Sequence, residues 1–126
     1  MTPKQHYYPG EFALQILSGK WKTSIMWILS QGPRRFSQLQ SFMAGVPKQS
    51  LSDRLRELET DGIIYRRPYQ FRPARYEYGM TEEGEELFKV VKQLCLWTKQ
   101  RLPNQVFPAE ECIELAGTSG RSVHKP

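Results

Sequence analysis

A chain of 126 residues, 25% charged and 39% hydrophobic, fits one globular domain with a modest core, for which pairing with a second copy is a natural supplement. No apolar run approaches the roughly 18 residues of a membrane span, and Met1-Thr2-Pro3-Lys4-Gln5-His6 lacks the apolar core of a signal peptide, so a cytoplasmic protein is expected. The net charge of +5 favours polyanionic partners, and its placement says more: residues 62–76 carry Arg66, Arg67, Arg72 and Arg75 and no acid, while residues 102–126 are slightly acidic.

Residues 1–10 read as an N-terminal arm. A first short helix is expected over residues 11–18, with Phe12, Ala13 and Ile16 on one side and Gly19 as its left-handed cap. A second helix over residues 21–30 has Trp21, Ile25, Ile28 and Leu29 on one face and stops at Gln31-Gly32-Pro33. Arg34-Arg35-Phe36 is too short for an independent strand and is placed to join a later hairpin. Ser37 then reads as the N-cap of a helix with Leu39, Phe42 and Met43 as its apolar set. After the tight turn Ala44-Gly45-Val46-Pro47, a helix over residues 48–60 buries Leu51, Leu55 and Leu58, and Asp61-Gly62 ends it.

Two strands follow, Ile63-Ile64-Tyr65-Arg66-Arg67 and Arg75-Tyr76-Glu77-Tyr78, around a basic tip at residues 68–74. The last long helix, residues 81–102, has Glu82, Glu83, Glu85 and Glu86 at its start and Lys99 and Arg101 at its end, which suits the helix dipole. Leu87, Val90, Val91 and Leu94 form one apolar stripe and Phe88 with Cys95 a second. That exceeds what one small domain needs, so the second stripe is expected to meet a partner subunit. Residues 103–126 form an extension, with a short amphipathic helix at 108–116 and a disordered tail from 118. The fold class is therefore α+β and mainly helical: a winged helix-turn-helix over residues 11–102 with a long C-terminal dimerisation helix.

The helix from Lys48 points a polar N-terminal end outward, as a reader of base edges does. Lys48, Gln49, Ser50, Ser52, Asp53 and Arg56 are its candidate DNA-binding residues; arginine or lysine suits guanine, glutamine suits adenine, and Asp53 either accepts from cytosine or aims a neighbouring arginine. Arg72 and Arg75 flank the tip and suit phosphates, and Arg34, Arg35 and Ser37 lie where the DNA backbone would cross. The plainer reading is a solvated helix face and an edge strand guarded by arginines; helix and basic hairpin in succession favour recognition. No cofactor is implied, since nucleophile elbow, P-loop and dinucleotide fingerprints are all missing from the sequence. Cys95 and Cys112 form no CxxC pair, so no metal site is expected. A redox role for Cys95 is the weaker alternative to an apolar filler.

Several fragments, in order, resemble the HxlR family of bacterial transcription regulators, MarR-like winged-helix proteins. They are Gly19-Lys20-Trp21, Gly32-Pro33-Arg34-Arg35-Phe36-Ser37-Gln38-Leu39, Leu51-x-x-x-Leu55-Arg56-Glu57-Leu58-Glu59-x-Asp61-Gly62-Ile63-Ile64, Pro73-x-x-Tyr76-x-Tyr78-x-x-Thr81-x-x-Gly84 and Trp97. The resemblance implies a homodimer built through the first and last long helices, for which Phe12, Ile16, Trp21, Phe88, Val91, Cys95 and Trp97 are the candidate contacts. It also implies a pseudo-palindromic operator on double-stranded DNA. Many members carry a sensing cysteine just before the first helix; here that position is Tyr8, so this switch does not carry over. Two other readings stay open: a winged helix that binds protein rather than DNA, and a regulator with a small-molecule pocket at the dimer helices.

Overall fold

The computed structural model describes residues 8–105. The arm before Tyr8, and the helix and tail expected after Gln105, with Cys112, lie outside the described residues. The element order is α1 (Pro9–Leu17), α2 (Lys22–Leu29), β1 (Arg34–Arg35), α3 (Phe36–Phe42), α4 (Lys48–Thr60), β2 (Ile64–Phe71), β3 (Ala74–Met80) and α5 (Glu82–Arg101). The strands form one antiparallel sheet in the order β1-β3-β2.

α1 starts earlier than expected because Pro9 opens its first turn, where a fixed φ helps and the missing N–H is no loss. α2 starts later. Trp21, expected inside it, is its N-cap and takes the left-handed φ of 80° that residues other than glycine seldom adopt. Ser37 is not a cap: Phe36 is already helical, and Arg35 at the N-cap donates its backbone N–H to Gln38 Oε1 at 2.8 Å, which leaves Ser37 inside the first turn.

α3 and α4 form the helix-turn-helix. Leu51, Leu55 and Leu58 of α4 join Ile25, Met26, Ile28 and Leu29 of α2 and Leu39 of α3 in the core. α4 ends in a Schellman arrangement: the Gly62 N–H reaches the Glu59 carbonyl at 3.0 Å and the Ile63 N–H the Leu58 carbonyl at 2.9 Å. Gly62 supplies the φ of 77° this needs.

The hairpin is longer than its sequence suggests, with only Arg72-Pro73 between the strands. Pro68, expected in the tip, lies within β2. That strand is at the sheet edge and its pairing is irregular between Pro68 and Gln70, so the proline's missing donor is tolerated.

Thr81 fixes the return from the wing. Its Oγ1 accepts the Gly84 N–H at 3.0 Å and donates toward the carbonyls of Gly62 and Ile63, while its N–H reaches the Ile63 carbonyl at 3.1 Å. A Cβ at Gly84 would land on the Ile63 carbonyl oxygen, so the Thr81-x-x-Gly84 spacing lets α5 start flush against the end of α4. On α5 the expected stripes are redrawn. Val91 is buried and Leu87, Phe88 and Cys95 pack against the chain's own core, whereas Val90, Leu94, Leu96 and Trp97 are exposed. Among the described residues no helix is long and apolar enough to cross a membrane.

Candidate nucleic-acid interface

Between the starts of α3 and α4 and the overhanging wing lies a cleft of about 690 Å³. α4 contributes Lys48, Gln49 and Ser52; α3 contributes Ser37; β1 and β3 contribute Arg35 and Arg75. These six expected residues are brought together by the turn before α4 and by the pairing of β1 with β3, which sets Arg35 opposite Glu77.

The cleft is also aromatic, which the candidate set missed. Tyr69, Tyr76 and Tyr78 line it. The alternation of Tyr76 and Tyr78 on one strand was the available signal. Arg35 stacks on Tyr69, with its guanidinium carbon 4.4 Å from the ring centroid, and Arg66 on Tyr76 at 4.7 Å. These ring contacts hold the two arginines in place, and Arg66 also lies 4.0 Å from Glu59 Oε2. Burial raises the Tyr78 hydroxyl above its usual range, so it stays a donor at neutral pH.

Asp53 lies just beyond the cleft and organises the polar face of α4. Its Oδ1 accepts from Gln49 Nε2 at 2.9 Å and from Arg56 Nη1 at 3.1 Å. The hydrogen bonds from Gln49 and Arg56 hold its carboxyl below the usual carboxylate range. Of the two roles expected for Asp53, this geometry matches aiming a neighbour; Arg54 turns away to Glu57 Oε2 at 3.0 Å.

The remaining candidates are spread out. Arg72 is at the wing tip. Arg34 lies half-buried against the Phe42 ring at 5.5 Å, and burial lowers its pKa. Ser50 is half-buried on α4. On the dimer list, Ile16 and Val91 belong to the core; Phe12, Trp21, Phe88 and Cys95 are packed against it, and Trp97 is exposed beside Arg101.

A second cleft, of about 720 Å³, lies on the other side of α4, between α1 and the C-terminal half of α4. Phe12, Ile16, Lys22, Arg54 and Glu57 are among its lining, and Arg56 reaches it as well.

Comparisons with known proteins agree with this architecture. Residues 16–106 match the family model described as HxlR-like helix-turn-helix. YtcD of Bacillus subtilis, an HTH-type transcriptional regulator, is 35% identical over 107 residues, spanning 85% of this chain and 84% of YtcD. The crystal structure of YtcD superposes with a TM-score of 0.72 at 33% identity, over 77% of this chain and 99% of that one. HypR in its reduced form, described as a redox regulator, superposes with a TM-score of 0.70 at 34% identity, over 74% of this chain and 92% of that one. With its reader helix and wing framing one basic cleft, the chain belongs to the HxlR-like helix-turn-helix family and is a DNA-binding transcriptional regulator.

Proposed function

We propose that the protein acts in the cytoplasm as a homodimer on a pseudo-palindromic operator, with no catalytic step of its own. The two α4 helices enter successive major grooves about one helical turn apart. Lys48, Gln49, Ser52 and Arg56 read base edges, Asp53 aims Gln49 and Arg56, and Arg35, Ser37, Arg72 and Arg75 take phosphates. The observation that carries this reading is the cleft that gathers α3, α4 and the wing around one basic, aromatic lining. For the dimer, the support is the exposed stripe Val90, Leu94 and Trp97 on α5 together with exposed Leu14 on α1. At i, i+4, i+7 these α5 residues form one continuous apolar line.

Fluorescence anisotropy with the DNA upstream of its own gene, against a shuffled duplex at near-physiological salt, tests the reading. A preference of about 10³-fold or more is the expected result. Equal binding to both duplexes, or to neither, counts against a specific operator there.

A second reading, response to a small molecule, is favoured by the cleft between α1 and α4. A ligand there would touch a candidate dimer helix and the C-terminal half of α4, Arg56 included, at once. A thermal-shift screen with and without operator DNA tests it: a ligand that stabilises the protein but weakens the complex supports it.

A further inference from the structure

The wing tip carries an apolar group that phosphate contacts do not use. Phe71 ends β2 and, at 77% exposure, is the most exposed of the large apolar side chains among the described residues. A single exposed ring needs no explanation by itself; here its position decides. Phe71 pairs directly with Ala74 across Arg72-Pro73. Paired residues share a face of a hairpin, so Phe71 lies on the face of Ala74, Tyr76 and Tyr78, which line the reading cleft. At the hairpin's base that same face carries Ile64, buried in the core, and Met80, packed against it. The face that is covered at its root is therefore open to solvent at its tip, just beyond the cleft lining. Arg67 is bonded to Glu77 and Arg66 lies 4.0 Å from Glu59, which leaves Arg72 in the turn and Arg75 beside it as the positive charge that draws a polyanion to the tip.

We infer that Phe71 is an apolar wedge that enters the minor groove beside each half-site and unstacks one base step, while Arg72 and Arg75 hold the flanking phosphates. The inference rests on DNA binding by the reader helix and wing. The wedge adds what those contacts lack. Side chains that insert between base pairs kink DNA by roughly 20–90° toward the major groove. Pyrimidine–purine steps open with least resistance. Phe71 thus selects sequence at a position that no polar group reads, and the kink brings the duplex further around the wing.

The full chain is first used to select an operator from a random duplex pool. 2-Aminopurine is then placed at successive steps flanking each half-site, and its fluorescence, which rises on unstacking, is read as protein is added. A rise at one step per half-site is expected with the natural protein and with Phe71→Leu, and no rise with Phe71→Ala. Phe71→Ala should also bind roughly tenfold more weakly, with an unchanged salt slope because no phosphate contact is lost. Phe71 is outside the core, so both variants should melt like the parent. Specific binding with no rise at any flanking step overturns the wedge and leaves DNA reading intact, as does an undiminished rise with Phe71→Ala. A pool that yields no enriched sequence overturns specific DNA reading and the wedge with it.

Discussion

Lys22 Nζ lies 3.1 Å from Glu57 Oε1, so a nearly buried ammonium ties α4 to the start of α2. The same ammonium donates to the Ile16 carbonyl at 3.1 Å, near the end of α1. One lysine thus joins three helices, and the glutamate that answers it is half-exposed and shared with Arg54.

The two halves of this pair should respond unequally to mutation. Glu57→Ala leaves the Lys22 charge buried with only a carbonyl for company. Breaking a fully buried pair this way costs about 3–5 kcal/mol, and Glu57's exposure reduces the expected loss to about 2 kcal/mol. Lys22→Met removes the buried charge itself, leaves Glu57 its Arg54 partner, and should cost under about 1 kcal/mol. Urea denaturation of both variants checks the order; equal losses would mean the pair is not the tie described.

Gly84→Ala should reverse the usual helix rule. In a helix interior alanine is normally favoured over glycine by about 1 kcal/mol. Here the added Cβ meets the Ile63 carbonyl oxygen, which is backbone and already bonded to Thr81. The expected outcome is destabilisation of about 2 kcal/mol, in the range of overpacked sites. A more stable Gly84→Ala protein would show that α5 does not start so close to the end of α4.

What was legible in the sequence follows from what local pattern encodes. Leu51, Leu55 and Leu58 recur at helical spacing and are buried, so α4 was readable to its ends. Thr81 and Gly84 were visible as a spacing but not as a joint, because the Ile63 carbonyl between them comes from a distant turn. Pro68 reads as a break, and only its place in an edge strand makes it tolerable there. The burial of Lys22 has no local signal, since nothing near it in sequence announces that Glu57 and a helix end will enclose it. Trp21 has the look of a helix residue because its left-handed backbone is imposed by the α1–α2 turn. On α5 the two apolar stripes adjoin, and the packing angle, which sequence does not carry, decides which faces inward. The site was half legible: charge and helix order marked the arginines and the polar end of α4, while the tyrosines of the cleft depended on the length and register of the wing.

Asp53 gives the reader face a pH dependence with a definite sign. Its carboxyl is held below its ordinary value, so the ionised form that organises Gln49 and Arg56 is present at any pH above that value. It is lost only as pH falls through the lowered folded value. Base preference should therefore be flat over about pH 5–8, since the carboxylate stays ionised throughout. Asp53→Asn substitutes a neutral acceptor, whose hydrogen bonds are about half as strong, and should relax preference at the bases met by Gln49 and Arg56. Gln49→Ala or Arg56→Ala should each lose roughly 1–3 kcal/mol of discrimination at a particular base pair. Binding profiles across single-base operator variants read this; uniform weakening would move the residue to a phosphate.

The wing arginines should behave in the opposite way. Arg72 sits at the turn and Arg75 lines the cleft from β3, and neither is needed to hold the core. Arg72→Ala and Arg75→Ala should therefore weaken binding to all duplexes alike, specific or shuffled. Each lost phosphate contact should flatten the plot of log affinity against log salt by about 0.9. Arg67 is the internal control. It is bound through two nitrogens to Glu77, at 3.0 and 2.8 Å, and that carboxylate raises its pKa. With its charge already answered within the wing, Arg67→Ala should change the slope least of the three. Titrations at several salt concentrations separate the cases: an unchanged slope for Arg72 and Arg75 would remove them from the interface, and a loss at Arg67 equal to theirs would show that Glu77 yields to phosphate.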